Sequence, residues 1–283
     1  MRLPRLAAFL GDLDPAGTWS AWVGPATGSA WLAADADAQH YAASTMKLPL
    51  VMAAYRLADA GVLDLDATVE IRNEFASVHD GTSFGLSRDE DSDDATWART
   101  GQSVALRWLA CRAIVRSGNL ATNLLLDAVG VSAVQTLLVD LGCHVTVVTR
   151  GIEDGRARDA GLQNLVSAAD LARLLQTLWA DAATDGPARV LAPASAQEVL
   201  DVLAAQQIAD ALPSRLPPGT RVAHKSGWVD GIDHDAGIVF HPDAGAYVFA
   251  MCTTSALSRD DAADVVATAA RAAWDDVGES SRP

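Results

Sequence analysis

Three short stretches carry side chains able to do covalent chemistry. In residues 41–50, YAASTMKLPL, Ser44 stands three positions before Lys47. A serine hydroxyl is a weak nucleophile and needs a neighbouring base. A lysine amine can be that base if burial or another positive charge lowers its pKa. The choice of lysine is informative, because of 21 Lys+Arg only Lys47 and Lys225 are lysines. The rest are arginines, which stay protonated in proteins. The second lysine opens Lys225-Ser226-Gly227, followed by Trp228, and the third stretch is Ser117-Gly118-Asn119. Each has a plainer alternative: a helix cap with a surface lysine at 44–47, an exposed lysine on an ordinary strand at 225–227, and a capping Ser or Asn at 117–119.

The chemistry depends on the elements that hold these residues. From Ser44 a helical pattern runs to about Ala60, with Leu48, Val51, Met52, Tyr55 and Leu57 apolar and Gly61 as its stop. Positions i and i+3 share a helix face, so the Ser44 hydroxyl and the Lys47 amine can meet near the helix's positive end. Ser117 to Asn119 fall between helices predicted over 103–116 and 120–129, the second ended by Gly130. Lys225 falls on a strand over 221–229, where glycine at 227 leaves room for close approach. Strands over 235–241 and 246–254 follow, joined by the turn PDAG.

Upstream, residues 3–12 read as a helix, and 18–24 with 29–35 as a hairpin. Further helices fit 167–180, opened by the cap-like Ser167-Ala-Ala-Asp170, and 194–209. Ser258 caps a last helix to about Trp274, with Ala262, Val265, Val266, Ala269 and Ala273 as its apolar stripe. Residues 73–101 are irregular, and the acid run SRDEDSDDAT at 87–96 reads as a solvated loop. Strands therefore lie at both chain ends with helices between them. The fold class expected is α+β: one antiparallel sheet built from both ends, flanked by the terminal helices, with an all-helical subdomain inserted. The chain reads as one domain over 1–283, with an α/β subdomain at about 1–55 and 210–283 and a helical subdomain at about 56–209.

Composition narrows the function classes. The formal charge is −15 over 283 residues and the pI about 4.6. That balance argues against nucleic acid or an anionic membrane surface as partner, since both need a basic footprint. Cys111, Cys143 and Cys252 are far apart and form no C-x-x-C; free thiols are expected, with one disulfide an alternative. The six histidines are scattered without metal spacing, so neither metal nor cofactor is expected. No apolar run has the length of a membrane span. The N-terminal MRLPRLAAFLGDLD lacks a small-residue cleavage site. A cytoplasmic monomer is expected as the sequence stands, or an exported one if the N-terminus is incomplete.

In order and spacing the three stretches resemble the motifs of the penicillin-recognising serine hydrolases, most closely the class A β-lactamase-like group. Those patterns are S-x-x-K, S-D-N and K-[TS]-G, and the resemblance covers about residues 17–275, including NLATNLLLDAVG after Ser117-Gly118. It implies that Ser44 attacks a carbonyl and becomes acylated, and that Lys47 takes its proton directly or through a water. Ser117 would relay a proton to the leaving group, and Asn119 would hold Lys47 and the substrate amide. Lys225, with Ser226 and Gly227, would keep the local field positive and attract a carboxylate. The N–H groups of Ser44 and Trp228 would form an oxyanion hole. Trp228 would also wall the pocket, with core packing as its alternative.

Two departures stand out. Glycine replaces the middle aspartate of S-D-N, removing a carboxylate that braces that turn. In the loop TRGIEDGRARDAGLQN (149–164), Glu153 lies 36 residues after Ser117, about where the family carries its deacylating glutamate. The usual surroundings are absent: Asp154 adjoins it and Ala157 stands where an asparagine is expected. A solvated loop acid is the alternative. No arginine occupies 235–241 to grip a β-lactam carboxylate. The function expected is a serine hydrolase acting on a small-molecule substrate through acyl-Ser44, opening β-lactam amides. An esterase, amidase or D,D-peptidase on the same scaffold is one alternative. A non-catalytic ligand-binding relative is another, against which the deprotonatable lysine argues.

Overall fold

A computed structural model describes residues 1–183 and 190–281. Five strands form one antiparallel sheet: β1 (Thr18–Pro25), β2 (Leu32–Ala34), β3 (Val222–Val229), β4 (Ile232–His241) and β5 (Gly245–Thr254). Their spatial order is β2-β1-β5-β4-β3, so both chain ends share one sheet and the fold is α+β, as the sequence implied. Among the described residues the longer helices are α1 (Pro4–Gly11), α2 (Lys47–Asp59), α3 (Leu106–Val115), α4 (Asn119–Val129), α5 (Val131–Asp140), α6 (Ala168–Ala182), α7 (Pro193–Ala204) and α8 (Arg259–Ser280). No single described helix is long and apolar enough to cross a membrane.

Side chains alternate across a strand, and here both faces are apolar. Val239, Tyr247, Phe249 and Met251 pack with Leu6 of α1 and Val266, Ala269 and Ala273 of α8. Ala236, Ile238, Val248 and Ala250 pack on the other side with α2 and α6, through Met52, Leu171, Leu174 and Leu178. Each fully buried Leu, Val or Phe contributes about 1.5–3 kcal/mol relative to exposure. That burial on both faces fixes the sheet's position between two helical layers.

The element boundaries depart from the sequence pattern in instructive places. The helix expected from Ser44 begins as a 3-10 turn, Ala43–Met46, and α2 proper starts at Lys47. Helix α5 went unread, because Gly130 looked like a stop. Gly130 does stop α4 with φ 80°, but the chain then turns and resumes as a helix. Helix α7 ends at Ala204, short of 209. Helix α8 runs past Trp274 because its last turns hold the N-terminus. The buried carboxylate of Asp276 accepts the N–H groups of Arg5 and Leu6 at 2.9 and 3.1 Å and pairs with the Arg5 guanidinium. Ser167 and Ser258 do cap α6 and α8, accepting from Asp170 N and Asp261 N.

Candidate active site

Strand β3 is the outer strand of the sheet, and its free edge faces the turn that carries Ser44. In an antiparallel pair, opposed residues alternate between hydrogen-bonded and open positions. The bond from Phe240 N to Arg221 O sets the phase along the 222–229 register with β4. Lys225 and Gly227 turn their backbone groups into the sheet, whereas Ser226 and Trp228 turn theirs off its edge. Gly227 is what allows the approach: a Cβ there would lie 2.8 Å from Ser44 N and 2.7 Å from Thr45 N. The N–H groups of Ser44 and Trp228 are thus on the facing edges of one narrow gap.

The two lysines converge on one hydroxyl. Lys47 Nζ donates to Ser117 O at 2.7 Å, to Asn119 Oδ1 at 2.8 Å and to Ser117 Oγ at 3.3 Å. Lys225 Nζ reaches the same Ser117 Oγ at 3.0 Å and donates to Ser226 O at 2.7 Å. Both side chains are fully buried. Burial first, and the Lys225 charge second, push the Lys47 amine well below its ordinary pKa, against Asp91 and Asp93, which raise it. Burial brings Lys225 down to about 7, against the raising effect of Asp235 and Asp210. Two buried ammonium groups so close disfavour each other's charge. One sequence expectation changes here: Ser44 Oγ makes no hydrogen bond to Lys47 among the described residues, and the amine is aimed at Ser117 and Asn119.

Ser44, Ser117, Asn119, Glu153 and Trp228 line one cavity of about 280 Å³. The structure therefore gathers residues that are more than 180 positions apart in the chain. Ser226 is buried on β3 and its Oγ has no partner among the described residues. Glu153 takes the far wall. Its Oε2 accepts Ser87 N at 2.8 Å, while Oε1 is buried without a partner among the described residues. Burial raises its pKa, with Glu90 and Asp91 adding to the effect and the Ser87 N–H opposing it. Asp154 next door is structural: buried, it accepts Ala157 N at 3.0 Å to cap the short helix Gly155–Asp159, and Val78 N at 3.0 Å.

Backbone strain marks the same place. Among the described residues, the non-glycine positions with left-handed φ are Asp35, Ala43 (43°), Ser117 (53°) and Glu153 (59°). Three of these four adjoin or line the cavity, and such conformations persist only where surrounding contacts over-determine them. Asn164 supplies part of that, accepting Thr149 N and donating to Arg150 O. Asn123 supplies more, clasping Ile152 through its N–H and its carbonyl at 2.8 and 2.9 Å. Sequence reasoning missed both asparagines.

It also misread the acid run. Asp91 is bonded into the turn that carries Ser117, accepting Asn119 N and Leu120 N at 2.9 Å each, and Asp93 is wholly buried, paired with Arg112 and close against Gly118. Only the outer acids of the run, such as Asp94, are solvated. An arginine likewise stands by the cavity wall without a sequence signal: Arg259, at the start of α8, lies 4.1 Å from the Trp228 ring centroid and pairs with Asp210 at 2.5 Å.

Comparison with known proteins gives these features a family. No curated protein sequence matches the chain. Solved structures match along nearly its whole length. A β-lactamase from Sphaerobacter thermophilus DSM 20745 is 25% identical, with TM-score 0.82 over 99% of this chain and 98% of that one. The ancestral (GNCA) class A β-lactamase is 25% identical, with TM-score 0.77 over 96% and 98%. PBP-A shares the fold at 22% identity, with TM-score 0.80 over 98% and 96%. The model of the beta-lactamase enzyme family matches residues 5–277, so the chain belongs to the beta-lactamase enzyme family and is a β-lactamase-like hydrolase.

Proposed function

We propose that the protein hydrolyses a cyclic or activated amide through an acyl-Ser44 intermediate, with β-lactams as the substrate class. The observation that carries this reading is the Ser117 hydroxyl held between the chain's only two lysines, at 3.3 and 3.0 Å. A binding pocket has no need of two buried amines with depressed pKa values sharing one hydroxyl. A proton shuttle does.

The steps follow the contacts. Ser44 Oγ attacks the carbonyl carbon, and its proton passes to the neutral Lys47 amine, directly or through a water. The negative oxygen that forms is stabilised by the N–H groups of Ser44 and Trp228 in the gap that Gly227 leaves. The carbon–nitrogen bond then breaks, and the leaving nitrogen takes a proton from Ser117 Oγ. Lys47 replaces that proton across the 3.3 Å contact, and Lys225 keeps the hydroxyl polarised from the other side. For hydrolysis, Glu153 takes a proton from water through the unpartnered Oε1. The water oxygen bonds to the acyl carbon, the bond to Ser44 Oγ breaks, and Ser44 Oγ takes the proton that Glu153 removed from the water, which returns Glu153 to its carboxylate. The raised pKa of Glu153 suits a general base better than an ordinary exposed carboxylate.

A second reading keeps the acyl-serine and changes the donor to an ester, amide or D,D-peptide. It is favoured by strand β4, which presents Asp233, His234 and Asp235 and no arginine or lysine. Assaying a chromogenic cephalosporin beside a nitrophenyl ester and a D-Ala-D-Ala peptide, with parent and Ser44→Ala, separates the two. Serine-dependent turnover led by the cephalosporin supports the first reading. Turnover led by the ester or peptide supports the second. Equal rates in parent and Ser44→Ala contradict both.

A further inference from the structure

We propose that Asp91 and Asp93 are positioning residues of the Ser117-Gly118-Asn119 turn, supplying from a separate loop the carboxylate brace that position 118 lacks. This inference rests on the acyl-Ser44 reading and adds to it residues that no motif contains. The first support is steric. A Cβ built on Gly118 would lie 2.9 Å from Asp93 Cβ and 3.0 Å from Asp93 Oδ2. The volume that an aspartate side chain at 118 would enter is already filled by a carboxylate from elsewhere in the chain.

The second support is the bonding. Asp91 Oδ1 and Oδ2 accept the first N–H groups of the eleven-residue α4, from Asn119 and Leu120, and Oδ2 also accepts Trp97 Nε1 at 2.9 Å. A carboxylate at a helix N-terminus satisfies orphan donors and meets the positive end of the dipole. Glu90 O accepts Asn119 Nδ2 at 3.2 Å, which leaves Asn119 Oδ1 turned toward Lys47. Ser92 Oγ donates to Arg116 O at 2.7 Å. Asp93 accepts Thr96 Oγ1 at 2.5 Å and pairs with both Nε and Nη2 of Arg112. Residues 90–92 thus bond Arg116, Asn119 and Leu120 on either side of the left-handed Ser117, while Asp93, fixed by Arg112 and Thr96, packs against Gly118.

The brace is also electrical. The charged groups that bear on Lys47 are Lys225 on β3, which disfavours its protonation, and Asp91 and Asp93, which favour it. Glu153 faces the same cavity from the 149–164 loop. Burial opposes ionisation of Asp93, but bonds from Arg112 and Thr96 keep its pKa below the ordinary carboxylate value. Neutralising either carboxylate removes a negative charge from beside Lys47, so its amine loses its proton at lower pH. The acid limb of acylation then moves to lower pH while the plateau falls. A brace that only stabilised the fold would lower the melting temperature and leave the limb in place.

The test measures acylation rate against pH, together with melting temperature, for the parent, Asp91→Asn, Asp93→Asn and the exposed control Asp94→Asn, using benzylpenicillin. A second set carries the aspartate back to the motif: Gly118→Asp, Asp93→Gly and the double exchange. The expected result is a plateau about tenfold or more lower for Asp91→Asn and Asp93→Asn, with the acid limb half a pH unit or more lower and Asp94→Asn unchanged. Gly118→Asp alone should lose about tenfold or more, and the double exchange should exceed both of its single variants. Coincident acid limbs, or a double exchange no better than the better of its two single variants, would overturn the proposal. If Asp93→Asn does not fold, Asp91→Asn and the exchange set decide. A parent that takes no acyl group instead brings down the acyl-serine reading on which the proposal stands.

Discussion

The cavity has two walls built in different ways. One is made from regular elements: the edge of β3, the 3-10 turn leading into α2 and the first residues of α4. Its polar groups are held several times over, with three oxygens within hydrogen-bond distance of Lys47 Nζ and two of Lys225 Nζ. The other is the 149–164 loop, which offers Glu153 on one N–H bond and leaves Oε1 unpartnered among the described residues. In the mechanism we propose, the first wall holds what acylation requires and the second what deacylation requires. Rigid elements fix side chains more tightly than loops do, so acylation should be robust and deacylation the step that sequence change tunes.

The largest effect should come from removing the nucleophile. Ser44→Ala is expected to lower turnover by several orders of magnitude with the melting temperature kept. Activity within about tenfold of the parent would erase the distinction between the walls. Lys47→Arg should come close to it in loss of acylation rate, since a guanidinium stays protonated and cannot act as base. Lys225→Arg should be milder by about tenfold or more, because that position needs charge and hydrogen bonds and no deprotonation. Equal losses in stopped-flow acylation would show that the two lysines do not divide the work.

A smaller effect is expected from Gly227→Ala, about 10- to 100-fold in acylation, because the added methyl group meets the backbone at Ser44 and Thr45. Glu153→Gln probes the opposite wall. Acylation should stay within a few-fold of the parent while the acyl-enzyme lives at least about tenfold longer, since an amide can hold a water but cannot take its proton. In the parent, deacylation should fail as pH falls through the raised Glu153 pKa, a separate limb from that set by Lys47. Unchanged lifetimes in single-turnover decay would take Glu153 out of the mechanism and leave Lys47 as the base for both halves.

The smallest effect concerns the histidines behind the firm wall. His40 and His234 stack edge to face at 5.4 Å, and His40 bonds Ser20 and Thr254 at 2.7 and 2.8 Å. Burial pushes both pKa values down to about 4, below the unfolded value of about 6.5. Between those values the unfolded chain binds more protons, so stability is lost as pH falls from about 6.5 to 4, by about 3 kcal/mol for each histidine. His234→Gln should flatten the melting temperature over that window. A profile as steep as the parent's would show that other groups set the acid response.

The firm wall was largely legible in the sequence; of the loop wall only Glu153 was, through its distance from Ser117 in the family resemblance. Each of the stretches that carry Ser44, Lys47, Ser117 and Lys225 has a plainer reading by itself; they are readable because their order and spacing together resemble one family's motifs. The runs of β4 and β5, joined by the turn PDAG, marked those strands in the sequence. Asp91 and Asp93 were hidden because acids in a run are usually solvated, and only the fold shows that two of them meet helix α4 and Arg112. Asn123 and Asn164 work through backbone groups of the loop 149–164, a kind of contact with no sequence period. Asp154 and Glu153 are adjacent acids with opposite roles, one a helix cap and the other open to the cavity. Residue type alone does not part them; the family distance from Ser117 pointed to Glu153, and the fold shows Asp154 as the cap.

The most direct measurement is intact-mass spectrometry of the parent and Ser44→Ala at short times after mixing with benzylpenicillin, followed by peptide mapping of the adduct. The account predicts that the parent gains the mass of one benzylpenicillin on the peptide containing Ser44 and that Ser44→Ala gains none. An adduct of equal yield in Ser44→Ala, or one mapped to another residue of the parent, would contradict it.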